Sequence, residues 1–333
     1  MPTVSIIIPT YNRLESLNKV LGCLTSQTFS INDFEVLVVS DGSTDGTIEY
    51  LRNLNSSLQL KIIEQENQGV AAARNAGIRE AQADLILFLD DDVVPSPQLI
   101  SEHLQSHAAL GSNYVVIGSM LAPFDFRLSP WVQWEQDKLA QQYQAMVSGK
   151  WNPTARQFYT GNTSLARRIL IESGGFDPHF RRAEDVELAY RLVERGVKFY
   201  FNPEAIGYHY AQRAFRSWLQ TPYAYGRNDV IFAQQKGQSW LLPTVFEEFY
   251  TRHSLIRALV GITLDRRYVR EVLYGALSAL VRGAGTSPVR PLTIHACSAL
   301  FNLRYYQGIS DELGGRYQFL QGLEAARLHL KAI

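Results

Sequence analysis

Through roughly its first 125 residues the chain alternates short, largely apolar runs with segments whose apolar residues recur at helical spacing. Each apolar run is followed by a polar cluster. Such alternation predicts a parallel sheet with crossover helices, because parallel neighbours need a long connection and are covered on both faces. Strands are expected at 4–8, 34–40, 60–64 and 83–89, and helices at 14 to about 25, 48–54 and 69–81. In an open α/β sheet, ligands bind beyond the carboxyl ends of the strands. Three polar clusters fall there: Pro9-Thr10-Tyr11-Asn12-Arg13, Ser40-Asp41-Gly42-Ser43 and Asp90-Asp91-Asp92. The chain has no Gly-Lys-Ser/Thr loop and no GxGxxG, which excludes a P-loop and a dinucleotide fingerprint.

The aspartate triplet carries the most chemistry. Continued strand alternation would put Asp90 and Asp92 on one face and Asp91 on the other. Two carboxylates so close repel each other unless a cation lies between them, and hard oxygen ligands suit Mg²⁺ or Mn²⁺. Such ions keep open positions for phosphates, so a nucleotide diphosphate is the expected ligand. Alone, the triplet would equally suit a solvated acidic turn before Pro95; the convergence of the clusters favours the metal.

The rest of the chain is less regular. Residues 126–158, with Trp131, Trp134 and Trp151, read as an irregular insert or lid. A strand at 158–166, a turn at 174–177, a helix from Ala183, and strands at 199–201 and 205–210 close the sheet region. Beyond 211 the pattern is helical: Val269, Val272, Leu273, Ala276, Leu277, Leu280 and Val281 mark an amphipathic helix with Arg270, Glu271 and Arg282 opposite. Further helices start at Pro291 and near Tyr317, after glycine turns at 283–285 and 314–315. No stretch is apolar enough to span a membrane. The domain division is therefore expected at 1–212 and 213–333.

Zero net charge hides an asymmetry between these regions. Residues 1–212 carry 17 Lys and Arg against 24 Asp and Glu, a balance of −7; residues 213–333 carry 15 against 8, a balance of +7. The basic residues are dispersed among helical positions, which points away from nucleic acid and toward a membrane surface or lipid-phosphate acceptor, or else to a solvated basic face. Two cysteines without CxxC spacing and an N-terminus that enters a strand directly point to a reducing, cytoplasmic setting, and the basic helical region to peripheral contact at the inner membrane face.

Five motifs in order resemble the family 2 glycosyltransferases, inverting enzymes of the GT-A fold: 4–13, 40–45, Asn67-Gln68-Gly69 through Ala73-Arg74-Asn75, 89–92, and Glu184-Asp185. The resemblance covers roughly residues 3–210. It implies a Rossmann-like, mostly parallel sheet followed by a helical C-terminal region. It also implies transfer of a sugar from a nucleotide-diphosphate donor, a UDP-sugar first, to a hydroxyl acceptor of a glycan or lipid-linked chain. Thr10 and Tyr11 would line the base pocket with Asp41 bonded to the base, Arg74 would approach the ribose or diphosphate, Asp90 the ribose, and Pro9, Arg13 and Asp91 would complete the nucleotide-binding set. Asp92 and His209 would hold the metal, an imidazole favouring Mn²⁺ over Mg²⁺.

In this scheme Asp185 would be the base, held ionised by its helix N-terminus, with Glu184 supporting it. Trp131, Trp134, Tyr159 and Asn162 would form a sugar-facing wall, or else pack in the core. Arg213 could reach the diphosphate. A catalytically silent subunit of a glycan synthase and a sugar nucleotidyltransferase are the alternative readings. The helices could instead serve homo-oligomerisation.

Overall fold

In the computed structural model, which describes residues 1–283 and 291–332, the apolar runs pair as the alternation requires. Strands β1 (Val4–Thr10), β2 (Phe34–Asp41), β3 (Gln59–Gln65) and β4 (Leu85–Leu89) are parallel neighbours in the order β3-β2-β1-β4. Helices α1 (Leu14–Leu24), α2 (Thr47–Asn53) and α3 (Val70–Glu80) form the crossovers between them. Ile6, Ile8, Val36, Val38, Leu87 and Leu89 pack with Leu17, Val20 and Leu21 of α1 in one core. A strand buried on both faces needs apolar residues at every position, which is why these runs do not alternate.

The sheet then becomes mixed. After β5 (Val93–Pro95) and α4 (Leu99–Leu110) come β6 (Tyr114–Leu121), helix α5 (Pro130–Val147), β7 (Asn162–Ala166), α6 (Arg167–Glu172), α7 (Glu184–Glu194) and β8 (Lys198–His209). The full order is β3-β2-β1-β4-β7-β6-β8-β5, with β7 antiparallel to both β4 and β6. β8 is one strand, not two. Its register against β6 shifts between Gly118 and Ser119, where Asn202 gives way to Ile206, and this bulge absorbs the residues around Pro203.

Residues 126–158 are not an irregular insert: most of them form α5. The chain divides into two compact units, Met1–Phe126 with Lys138–Ala211, and Arg127–Asp137 with Gln212–Ile333. The apolar residues of α5 thus belong to two cores, and their mixed spacing conceals the helix from a search for one stripe.

The C-terminal unit is helical: α8 (Phe215–Gln235), α9 (Leu241–Thr251), α10 (Ser254–Thr263), α11 (Arg267–Gly283), α12 (Pro291–Leu313) and α13 (Arg316–Ala332). Of the glycine turn at 283–285, residues 284 and 285 lie outside the described residues. Trp218 is fully buried, edge-on to Trp134 and stacked on Phe215, over Cys297 and Leu300. Helices α8 and α12 cross at Gly226 and Gly308, where a Cβ would collide with the Tyr305 and Tyr223 carbonyls respectively. Backbone cannot move aside as a side chain can, so Gly308→Ala is expected to lower stability by about 2–3 kcal/mol, read from urea unfolding.

The amphipathic stripe at 269–281 is divided. Leu277 packs beside the buried Val281, whereas Val269, Val272 and Leu280 are exposed. No helix among the described residues is long and apolar enough to cross a membrane.

Candidate active site

The carboxyl edge of the sheet brings three loops together. Thr10 at the end of β1 pairs with Ser40, and Asp41 at the end of β2 pairs with Gln65. Asn12, with φ of 53°, accepts a hydrogen bond from Thr44 N at 2.7 Å and donates its own N–H to Ser43 Oγ, tying the first two loops. Asp41 accepts from Gln65 Nε2 at 2.7 Å, Gln68 N at 2.8 Å and Gly69 N at 2.8 Å. Its carboxylate therefore fixes the loop that opens α3. Oδ1 takes two of these bonds and Oδ2 one, so Oδ2 retains acceptor capacity for a base N–H.

The triplet does not continue the strand. β4 ends at Leu89, and Val93 N donates to Asp90 O at 3.1 Å, closing a turn through Asp91 and Asp92. Alternation is lost, and the expected pairing of Asp90 with Asp92 is replaced by another. Asp91 and Asp92 share Arg13: Arg13 Nη1 donates to Asp92 Oδ2 at 2.5 Å, and Arg13 Nε lies 3.9 Å from Asp91 Oδ1. Thr10 Oγ1 donates to Asp91 Oδ2 at 2.7 Å. Asp90 turns instead to Arg74, at 3.0 Å.

Burial, and then the charge of Asp92, raise Asp91 to about 7. Burial alone would raise Asp92 too, but His209 and Arg13 outweigh it and hold Asp92 at about 2. Nearby opposite charge favours the ionised form. His209 reaches Asp92 because β5 pairs with β8, placing Val93 opposite His209, and Tyr210 N donates to Asp92 O at 2.8 Å.

Whether these residues suit a divalent ion is a question of donors and spacing. Asp92 Oδ1 and His209 Nε2 converge at 3.4 Å. Two donors at neighbouring positions of one ion, each about 2.1 Å away, lie about 3 Å apart, so the pair fits. Among the described residues no group of three or more His, Cys, Asp and Glu gathers around one point. A two-donor site that leaves its other positions to phosphate oxygens and water is the usual arrangement for Mg²⁺ and Mn²⁺.

A second acidic station lies at the start of α7. Arg74, only 4% exposed, joins it to the triplet: Nη1 donates to Glu184 Oε1 at 2.8 Å and Nη2 to Asp90 Oδ1 at 3.0 Å. Burial disfavours the Arg74 cation, but Asp90 and Glu184 overcome that and raise it further. Arg74 is thus an internal strut between two carboxylates. Asp185 Oδ1 accepts from Val186 N at 2.8 Å. Contrary to the helix-dipole expectation, burial and then Glu184 raise Asp185 to about 7, although Arg74 opposes them. Glu187 plays a structural part, forking with Arg191, which also donates to Gly175 O at 2.7 Å.

Other expected site residues lie elsewhere. Asn162 is fully buried: Nδ2 donates to Ser119 O and Ala205 O, which leaves Oδ1 to accept from His103 Nε2 at 2.9 Å. His103 in turn is held neutral by burial, its pKa lowered to about 4. Tyr159 is half-buried, and its hydroxyl is held inside the fold by Tyr143 at 2.6 Å and by Gly118 O. Trp134 packs with Trp218 and Phe301 and donates to Ser298 Oγ at 3.2 Å. Trp131 donates to Arg213 O at 2.8 Å, and Arg213 pairs with Glu135 at 3.0 Å, all within the C-terminal unit. Aromatic rings supply core area as readily as stacking surfaces, and here they do so.

Two residues of the site escape motif reading. A Cβ at Gly161 would sit 3.0 Å from Asp90 Oδ2 and 2.7 Å from Met120 Sδ, so only glycine leaves room for that carboxylate. The guanidinium of Arg181 lies over Gly69, where a Cβ would meet its Nη1 at 2.5 Å. This sets an exposed cation beside the Asp41 loop. The only hint in sequence is the position of Arg181 four residues before Asp185.

The family model for glycosyl transferase family 2 matches residues 5–174. A validoxylamine A glucosyltransferase from Streptomyces hygroscopicus subsp. jinggangensis is 35% identical over 233 residues, 62% of this chain and 55% of that relative; the chain spans about half its length. The mannosyltransferase PcManGT from Pyrobaculum calidifontis, in complex with GDP-Man and Mn²⁺, aligns with a TM-score of 0.59 at 18% identity, over 92% of this chain and 87% of that one. Residues 1–349 of TarS from S. aureus, with UDP-GlcNAc, align with a TM-score of 0.58 at 19% identity, over 95% and 93%. These likenesses establish the GT-A type of fold. With its family-model match running from β1 beyond the aspartate turn, the chain belongs to glycosyl transferase family 2.

Proposed function

We propose that the protein transfers a sugar from a nucleotide-diphosphate donor, a UDP-sugar in the first instance, to an acceptor hydroxyl with inversion at the anomeric carbon. The observation that carries this reading is the division of the site into two acidic stations joined by one buried arginine: Asp92 with His209, and Asp185 with Glu184. Inversion requires the base and the leaving group on opposite sides of the anomeric carbon. The acceptor oxygen forms its bond to that carbon as the bond to the diphosphate oxygen breaks, and its proton passes to an Asp185 oxygen.

A carboxyl raised to about 7 is a better match for that proton than an ordinary aspartate, because base strength rises with pKa while about half of the group is still ionised at neutral pH. Asp92 and His209 would hold Mn²⁺ or Mg²⁺, which supplies Lewis acidity toward the departing diphosphate. Arg13 and Arg181 are cations suited to phosphate oxygens, and Asp41 to a base N–H. The Mn²⁺ and GDP-Man of PcManGT and the UDP-GlcNAc of TarS support a metal and a nucleotide sugar as partners. The glucosyl transfer named for the Streptomyces relative supports the reaction class.

The test is a thermal-shift screen of UDP- and GDP-sugars with and without Mn²⁺, followed by assay of nucleotide diphosphate release. A metal-dependent shift with one donor and release on adding acceptor are expected. Binding without release from any donor, across a broad acceptor set, would favour a silent binding subunit. Asp92→Ala should weaken Mn²⁺-dependent donor binding by about 10- to 100-fold, measured by titration calorimetry, since it removes one of two protein donors.

A further inference from the structure

The C-terminal unit exposes apolar surface in an ordered way. Both α10 and α11 pack on α12 and also touch each other, and each leaves apolar side chains exposed. On α11 the exposed face carries Tyr268, 88% exposed, Val272, 75% exposed, and also Val269 and Leu280. At 3.6 residues per turn these positions span an arc of about 120°, opposite the arc of Leu277 and Val281 that packs inward. On α10 the exposed face carries Leu255, 59% exposed, and Ile262, two turns apart. A helix with one apolar arc on a core and another toward solvent has a second surface to cover.

The charges around this face are mostly positive. Residues 254–283 hold five arginines against Asp265 and Glu271. Arg266, Arg267 and Arg282 are exposed at the two ends of α11 and make no side-chain ion pair among the described residues. Asp265 already accepts from Arg316 N at 3.2 Å.

We propose that this face of α10 and α11 docks on the surface of an anionic lipid bilayer. An amphipathic helix lying in the interface sets apolar side chains at the acyl boundary and arginines at the phosphate plane, and this face offers both. A second copy fits less well, because a twofold contact through this face would bring its arginines against those of the other copy. Nucleic acid would satisfy the arginines and leave the apolar arc in water. The inference goes beyond sugar transfer and does not depend on it, since docking is measured without donor or acceptor.

The experiment is flotation of the full chain with vesicles of phosphatidylglycerol and phosphatidylcholine, against vesicles of phosphatidylcholine alone. Recovery about tenfold higher on the anionic vesicles, falling with added salt, is expected. The double variant Leu255→Glu with Val272→Glu should lose that recovery while its thermal unfolding stays unchanged, because both side chains are exposed. Equal recovery on the two vesicle types would overturn the proposal, as would undiminished recovery of the double variant. So would a dimer in sedimentation velocity that Val272→Glu dissociates, with no protein on either vesicle.

Discussion

Asp185→Asn is expected to bind the nucleotide-sugar donor as the native protein does while slowing transfer by about 10²- to 10⁴-fold, the range for loss of a positioned general base. Donor affinity is read by calorimetry and transfer by diphosphate release; a variant that loses donor binding instead would remove Asp185 from the role of base. The native enzyme should show an acid limb, with activity falling as pH drops through about 7, because Asp185 must be ionised to take the proton. The same substitution has a stability signature of the opposite sense.

A carboxyl whose folded pKa lies above its unfolded value contributes stability below the unfolded pKa, and that contribution is lost as pH rises through the folded pKa. The window for Asp185 runs from about 4 to about 7. Above it, the native protein carries an ionised carboxylate beside Glu184, and Asn removes that cost. Asp185→Asn should therefore melt higher than the native protein at pH 8, with the difference shrinking as pH falls toward 4. The pairing of lost transfer with gained stability distinguishes a strained functional group from a structural one.

Arg74→Met should destabilise the protein by about 3–5 kcal/mol at neutral pH, the usual cost of removing one partner of a buried ion pair. Arg74 is 4% exposed and holds Glu184 and Asp90 at once, so its loss leaves two carboxylates facing Asp185 without a cation between them. Arg74 also holds Asp185 down, so the acid limb should move to higher pH in the variant. Urea unfolding and a pH-rate profile measure the two effects separately. A purely substrate-binding arginine would raise KM and leave both unchanged.

Much of the sheet is legible in sequence because burial on both faces writes itself as unbroken apolar runs, as in Ile6-Ile7-Ile8 and Val36-Leu37-Val38-Val39. The crevice follows, since polar clusters at strand ends have one place to go. The orientation of the triplet is not legible: alternation holds only while the strand continues, and the chain turns at Asp90. Nor is the ladder between β5 and β8 that brings His209 to Asp92, because β5 has three residues and its partner lies more than a hundred positions away. Helix α5 is obscured by serving two cores. Arg74, read as a ligand for phosphate, is turned inward by Glu184, a contact across 110 residues that no local pattern records.

The turn at the triplet also restricts how this chain can vary. Leu89 is fixed opposite Asn162 in one ladder, and Val93 is fixed opposite His209 in another. Three residues join two anchored ends. An insertion or deletion there must shift one register, flipping Asn162 out of its contacts with His103 or carrying His209 away from Asp92. The length of the acidic segment is therefore under the same restraint as its composition, and an added or missing residue would be as damaging as a lost carboxylate.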